Sequence, residues 1–302
     1  MTTGLRDHFR HIVLRQYKRK NSKYRAKLFP IFAAVKNLND IIFPIATEMA
    51  EFEAFFEHTL KAETEPMDSI MQYVCDTQGK RLRPILVLLS AKLFGKINEQ
   101  TLRSATFVEM IHSATLIHDD VVDDANQRRN KASVKAQFGN LSAVLSGDYL
   151  LAKAMLLLAN PDDHAILQEM LSTTAAMSEG ELMQTIVTDC VPQSENTTNQ
   201  HRQYLEIITR KTAMLMRSCC AAGAMSVQAS AEQIQQISNF GLNFGILFQL
   251  RDDMLDGENI AEAQALLPEY LQKTLDSLKV FPESETLKTL RDLTVFCAER
   301  KI

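Results

Sequence analysis

Glycine and proline are scarce in this chain, at 10 and 8 of 302 residues, and aromatic side chains make up only 7%. A shortage of turn formers and of the ring-bearing residues enriched in strands argues against a β-rich fold. The alternation of apolar and polar residues that marks a half-buried strand is also rare. The five cysteines, Cys75, Cys190, Cys219, Cys220 and Cys297, have no metal-ligand spacing. Their odd number argues against a disulfide framework, so they read as reduced packing thiols of a cytoplasmic protein. No apolar run reaches the roughly 18–20 residues that a bilayer span needs. There is no secretory signal and no short tandem repeat.

Methionine (13 residues), leucine and alanine are plentiful, which points to an all-helical protein of one large domain or two. Apolar residues recur at helical spacing over roughly Ile41–Leu60, Asp68–Cys75, Leu82–Phe94, Glu99–His118, Val134–Leu158, His164–Val187, Asn199–Ser226 and Ala231–Leu255. Pro30, Pro44, Pro66, Pro161 and Pro192 fall mostly between these runs, and Pro84 suits a first helical turn. Phe240–Leu250 and Leu150–Ala159 are apolar nearly all round, as expected of helices inside a core or against a partner.

The net charge of −4 hides an asymmetry. Residues 1–30 hold nine Lys or Arg and one acid, Asp7, giving 9 − 1 = +8 and leaving −12 for the rest. Such an arm suits peripheral contact with anionic lipid, or is a leader without structure. No aromatic platform or binding motif accompanies the charge, so nucleic acid is not an expected partner.

Two acidic runs carry the chemistry. His118-Asp119-Asp120-Val121-Val122-Asp123-Asp124 and Arg251-Asp252-Asp253-Met254-Leu255-Asp256 each contain DDxxD at the end of a long apolar helical segment. Asp119 and Asp123, like Asp252 and Asp256, stand four apart, and like charges at that spacing repel on a bare helix. Carboxylates without nearby imidazole or thiolate are hard oxygen ligands suited to Mg2+, with phosphate as co-ligand. Lys80 and Arg83 in GKRLRP, with the pair Arg128-Arg129, supply the complementary cations. Metal-bridging carboxylates beside separate basic clusters imply a site for two anionic groups.

The set GKRLRP, HSATLIHDDVVDDANQRR, FGNLSAVLSGDYLLAKA, EGELMQ, RKTA and FGILFQLRDDMLD, in that order, resembles the trans-isoprenyl diphosphate synthases, or polyprenyl synthetases. The resemblance runs from about Ile45 to Asp256 and resumes weakly towards Lys301. It implies an all-α bundle of mostly antiparallel helices around a deep central cavity, formed by residues 31–302 and usually homodimeric, with 1–30 as a flexible arm. The implied reaction is head-to-tail condensation of isopentenyl diphosphate with an allylic diphosphate. By motif, Asp119, Asp120 and Asp123 look like magnesium ligands of the first cluster, and Asp252, Asp253 and Asp256 of the second. Lys80, Arg83, His112 and Arg129 resemble the residues that hold isopentenyl diphosphate; His112 lies two turns before Asp119 on one helix face. Arg128, Lys211 and Gln249 resemble those facing the allylic diphosphate, with Thr212 assisting. His118 reads as structural, Asp124 as capping or bending the helix end, and Asp148 equally as a packing acceptor or a site residue. Glu179 and Glu181 lie in a family motif without an assigned role. Met155, Met183, Met214, Met216 and Met225 read as core.

The positions five and four before Asp119 are Ala114 and Thr115, where bulky aromatics in the family give short products. Small residues here imply a medium- to long-chain product of the sort used for quinone side chains, with geranylgeranyl as the fallback. Met110, Phe107, Met155 and Leu158 are the expected stops. Two departures stand out. Asn130 follows Arg128-Arg129 where the family usually has glycine. After Asp256 the GxDxxxGKxT segment and its lysine are missing, because Gly257-Glu258 runs directly into Asn259-Ile260. An active, abridged synthase and an impaired regulatory subunit are both consistent with that loss. A class I terpene cyclase shares the acidic clusters but would not need Lys80, Arg83 and Arg129.

Overall fold

The computed structural model describes residues 37–77, 79–190 and 197–300, without side chains for 187–190 and 197–200. The basic arm, Pro30, Pro192 and the side chain of Cys190 therefore lie outside the described residues. Short helix α1 (Leu38–Ile42) and a 3-10 turn lead into α2 (Ala46–Leu60), α3 (Glu65–Asp76), α4 (Leu82–Phe94) and α5 (Glu99–Val122). A two-stranded ribbon, β1 (Gln127–Arg128) and β2 (Lys131–Ala132), precedes α6 (Val134–Phe138), α7 (Asn140–Leu157) and α8 (His164–Cys190). Then come α9 (Thr197–Ile208), a π-turn (Thr209–Ala213), α10 (Met214–Ser226), α11 (Ala231–Asp256), α12 (Ile260–Ser277) and α13 (Glu285–Glu299). The all-α expectation holds.

The centre is built on α4 and α10. Every residue from Pro84 to Ala91 is buried, which is why α4 shows no apolar stripe and lies inside. It packs between α5 and α10, α5 also meets α2 and α7, and α11 lies between α10 and α12. The two long helices α5 and α11 begin in capping boxes, Asn98 with Thr101 and Ser230 with Gln233, which satisfy first-turn amides. Their other ends carry the acidic runs. A helix C-terminus is the negative end of the backbone dipole, so aspartates there are unfavourable twice over.

Several boundaries differ from the sequence reading. Ile41–Leu60 is interrupted by the 3-10 turn Phe43–Ile45, which Pro44 enters at its first turn. Val134–Leu158 is two helices, because Gly139 at φ 88 turns the chain between α6 and α7. Asn199–Ser226 is interrupted by the π-turn, an irregularity frequent at functional sites. Pro66 and Pro161, expected between runs, sit in the first turns of a helix and of a 3-10 turn, whereas Pro268 lies inside α12. Of the methionines expected in the core, Met216 is buried and Met183, Met214 and Met225 are half-buried. Met155 is not core: it is 40% exposed on the outer face of α7. Cys219, Cys220 and Cys297 are buried free thiols and Cys75 is half-buried. Burial pushes Cys75 up to about 11 and both Cys220 and Cys297 up to about 12, so they stay protonated packing groups.

Candidate active site

Asp119, on the last turn of α5, is half-buried, and its carboxyl is raised from 3.8 to about 6. Burial is the main cause, reinforced by Glu181 and Asp123 and opposed by Lys211 and Arg128. Asp123 caps the same helix, exposed, its amide bonded to the Asp119 carbonyl at 2.8 Å. Asp120 points elsewhere. It is buried, and its Oδ1 accepts Arg128 Nε at 2.9 Å and Nη2 at 2.6 Å. Asp124, at φ 51, leaves the helix and pairs with Lys135, which draws its carboxyl below the usual range. His118 Nε2 lies 3.2 Å from the Val144 carbonyl and 3.4 Å from Asp148, joining α5 to α7 as its structural reading implied.

Across from Asp119, the π-turn presents Lys211 to α8. The Lys211 ammonium lies 2.7 Å from Glu181 and donates to Gln184 Oε1 at 3.0 Å. Glu179, the other acid of that motif, pairs with Arg210 at 2.6 Å. Thr212 starts a hydrogen-bonded chain towards the second cluster. Its hydroxyl donates to Gln249 (2.8 Å), the Gln249 amide donates to Asp253 Oδ1 (2.7 Å), and the Tyr204 hydroxyl donates to Asp253 Oδ2 (2.5 Å). Buried Asp253 is thus engaged at both oxygens. Burial and the Asp253 carboxylate push the Tyr204 phenol well up, so it remains a donor.

Asp252 also has a raised carboxyl, chiefly from burial, with Asp256 and Asp253 reinforcing and Arg300 and Lys80 opposing. Arg300 donates to Asp252 at 2.5 Å while its guanidinium lies 4.1 Å from the Phe248 ring centre. Arg251 Nε holds the Arg300 carbonyl at 2.8 Å. Arg300 and Tyr204 were missed by sequence reasoning, since nothing in their local context marks them and each partner is 48 or 49 residues away.

The basic clusters meet at His112. Its imidazole is driven well below its ordinary value by burial and by Arg83, Arg129, Arg128 and Arg81, so it is neutral at pH 7. Burial lowers Arg83 as well, opposed by Glu109 and Asp252, so Arg83 stands within Coulombic range of both His112 and the second acidic cluster. Its Nε is buried without a hydrogen-bond partner. Arg129 and Asn130 form the two-residue turn between β1 and β2, at φ 52 and 63. A turn with two positive φ values favours glycine or asparagine, which explains why Asn130 can stand where glycine is usual. Arg129 donates to the Thr77 carbonyl at 3.0 Å. Gly79 carries no side chain because the Arg129 guanidinium occupies that space, 2.5 Å from where a Cβ would be.

Asp119 feels the charges of Asp123, Lys211 and Arg128, Asp252 those of Asp256 and Lys80, and Arg83 those of Asp252 and Arg129, while Arg83, Arg128 and Arg129 all act on His112. The structure sets Asp120 and Asp253 apart, since both are buried and hydrogen-bonded to protein groups. A family model described as polyprenyl synthetase matches residues 64–264. The chain is 32% identical over 248 residues to the all-trans-nonaprenyl-diphosphate synthase (geranyl-diphosphate specific) of Rhodobacter capsulatus, covering 78% of this chain and 74% of that one. It is 34% identical over 208 residues to the octaprenyl diphosphate synthase of Haemophilus influenzae, covering 65% and 61%. The fold matches the crystal structure of a polyprenyl synthase from Caulobacter crescentus complexed with calcium and isoprenyl diphosphate, with TM-score 0.80, 24% identity and coverage of 89% and 100%.

Proposed function

The chain belongs to the polyprenyl synthetase family, and from that premise we propose a magnesium-assisted prenyl transfer carried out by a homodimer. The enzyme condenses isopentenyl diphosphate with an allylic prenyl diphosphate to give a medium- or long-chain all-trans polyprenyl diphosphate. The observation that carries the site assignment is a buried, neutral His112 that feels the charge of Arg83, Arg129, Arg128 and Arg81, together with one acid of each cluster, Asp119 and Asp252, raised chiefly by burial.

The donor set suits magnesium. Asp119 and Asp123 form one all-oxygen pair and Asp252 and Asp256 the other; Asp119 and Asp252 are raised chiefly by burial, with neighbouring carboxylates adding to it, and a divalent cation would relieve that added repulsion. Asp119, Asp123, Asp252 and Asp256 would hold magnesium there, and the ion would supply positive charge against the charge that develops on the leaving diphosphate. Asp120 and Asp253 we assign to positioning, the first through Arg128 and the second through Gln249 and Tyr204. Lys211 and Arg128 face the allylic diphosphate beside Asp119, with Thr212 and Gln249 bracing that side. Lys80, Arg83, Arg129 and His112 hold isopentenyl diphosphate. Apolar helices exclude water from the allylic cation left when diphosphate departs. C4 of isopentenyl diphosphate then attacks that cation, and the departing diphosphate takes the lost proton, so no dedicated base is required. Ala114 and Thr115 set how far the chain extends along α5. The cations for a second diphosphate favour condensation over cyclisation. Labelled isopentenyl diphosphate passing into an extractable lipid is the test.

Gly257, Glu258 and Asn259 alone connect α11 to α12, leaving no place for the missing lysine segment. Fewer diphosphate contacts and less complete closure should raise the allylic KM and release some prenyl alcohol by hydrolysis, with isopentenyl diphosphate binding less affected. Steady-state kinetics with analysis of the alcohol fraction checks this. Normal allylic affinity without alcohol would mean that another cation has replaced the lysine, Arg300 beside Asp252 being the nearest candidate.

The dimer reading is supported by exposed apolar side chains on each of two helices. Leu141, Val144, Leu145, Met155 and Leu156 on α7 and Leu171, Leu182 and Ile186 on α8 are exposed large apolar side chains, with Leu156 at 73%. Such a surface on a protein of this size calls for a partner. Leu145→Glu with Leu156→Glu should convert the dimer to monomers in analytical ultracentrifugation, whereas a wild type that sediments as a monomer would remove this part of the proposal. No single helix among the described residues is long and apolar enough to cross a membrane. We place the enzyme in the cytoplasm, with the basic arm as its peripheral lipid contact.

A further inference from the structure

We propose that Arg81 is the positioning residue of the isopentenyl diphosphate subsite, acting as a buried tether for the turn that carries Lys80 and Arg83. The assignment rests on the subsite reading above. Arg81 sits at the start of α4 at φ 51, ψ 31, a left-handed conformation that side-chain-bearing residues rarely adopt unless their surroundings impose it. Its side chain supplies that constraint. Nε and Nη2 donate to the two oxygens of Glu53 on α2 at 3.0 and 3.2 Å, and Nη1 donates to Glu109 on α5 at 2.7 Å. The guanidinium carbon lies 4.6 Å from the centre of the Phe56 ring. With 9% of its surface exposed, Arg81 is spent on these carboxylates and is not a phosphate ligand.

Its neighbours behave differently. Lys80 is exposed, and Arg83 has a buried Nε with no protein partner. Glu109 is three residues before His112, so the two share a face of α5 and the tether ties the turn to the helix that carries the imidazole. Glu109 also acts electrostatically on Arg83 and Arg129, which makes it the common counter-charge of three guanidinium groups. Arg129 in turn lies on the backbone of Gly79, so its position follows the same turn. Displacing Arg81 should shift Lys80, Arg83 and Arg129 together while leaving Lys211 and the first acidic cluster in place.

The test is Arg81→Met and Arg81→Lys, with Glu53→Gln as a milder variant that removes one jaw of the clamp and leaves Glu109 buried with its partner. Isopentenyl diphosphate binding, measured by calorimetry without an allylic substrate, should weaken on the order of 10–100-fold in the arginine variants, the range typical of outer-sphere positioning groups. The allylic KM should stay within about twofold, and Arg81→Lys should fail to rescue, because an ammonium cannot fork onto two carboxylates. Glu53→Gln should show a smaller change in the same direction, and it carries the test if circular dichroism shows that the arginine variants do not fold. A loss of activity that spares both Michaelis constants, as a smaller folded fraction would give, overturns the proposal, as does unchanged binding. In both cases wild-type affinity leaves the subsite reading standing. A wild type that does not bind isopentenyl diphosphate overturns that reading, and the tether assignment falls with it.

Discussion

Asp119→Ala and Asp252→Ala should each lower turnover by about 10²–10³-fold or more, the range set by removing one electrostatic contact from a developing charge, while the protein stays folded. The two aspartates lie at the negative ends of α5 and α11, each four residues from a second carboxylate. Their charge is a burden on the unliganded fold. Asp119 takes up its proton near 6 in the folded chain against an ordinary 3.8, so the folded state binds that proton more tightly than the unfolded one. Its contribution to stability is therefore fully present below 3.8 and is lost as pH rises through about 6. Thermal unfolding of metal-free protein should show the wild type losing ground to Asp119→Asn across that window, and magnesium affinity should fall as pH drops below it. A variant less stable than wild type at pH 7 would mean that Asp119 is a structural acid and not a poised ligand.

Product length should shorten in Ala114→Phe and Thr115→Phe. A chain anchored at Asp119 and running towards the N-terminal end of α5 gains one helical turn, about 5.4 Å, per isoprene unit or nearly so. The two positions differ in surroundings: Ala114 is wholly buried in the core, and Thr115 is half-buried with its hydroxyl on the His112 carbonyl. A ring at 114 must force its neighbours apart, which costs about 1–3 kcal/mol. Thr115→Phe is the cleaner probe. Of the residues expected as deeper stops, Phe107, Met110 and Leu158 are wholly buried and Met155 is exposed, so the first three are the candidates to test next. Mass spectrometry of dephosphorylated products gives the length distribution. Shorter products from both variants support the ruler; destabilisation by Ala114→Phe with unchanged length from either variant would reduce Ala114 to a packing residue. A wild type that stops at farnesyl contradicts the argument outright.

What was legible in the sequence follows from the range of the interactions. Helix α4 was read at both ends because burial on every side gives a continuous apolar run with Pro84 in its first turn. The end of α5 was read four residues early, since a run of aspartates looks like a helix end when the helix in fact continues to Val122. The π-turn was invisible, because a one-residue slip in hydrogen bonding leaves the apolar spacing almost unchanged. At the site, repeated DDxxD motifs identify themselves by charge at fixed spacing. Arg81 and Arg300 do not: Arg81 is only one member of the basic GKRLRP run and Arg300 carries no signal until the fold brings Glu53, Glu109 and Asp252 against them from 28, 28 and 48 residues away. Pairing with Arg128, eight residues on, and with Tyr204, 49 residues back, separates Asp120 and Asp253 from their motif companions, a division the sequence pattern alone cannot make.

Incubating the purified protein with farnesyl diphosphate, labelled isopentenyl diphosphate and Mg2+ tests the central claim most directly. The account predicts label in extractable prenyl diphosphates longer than geranylgeranyl, accompanied by a fraction of hydrolysed prenyl alcohol. No labelled lipid under any metal condition would contradict it, and would turn the assignment towards a binding or regulatory subunit of a heteromeric synthase.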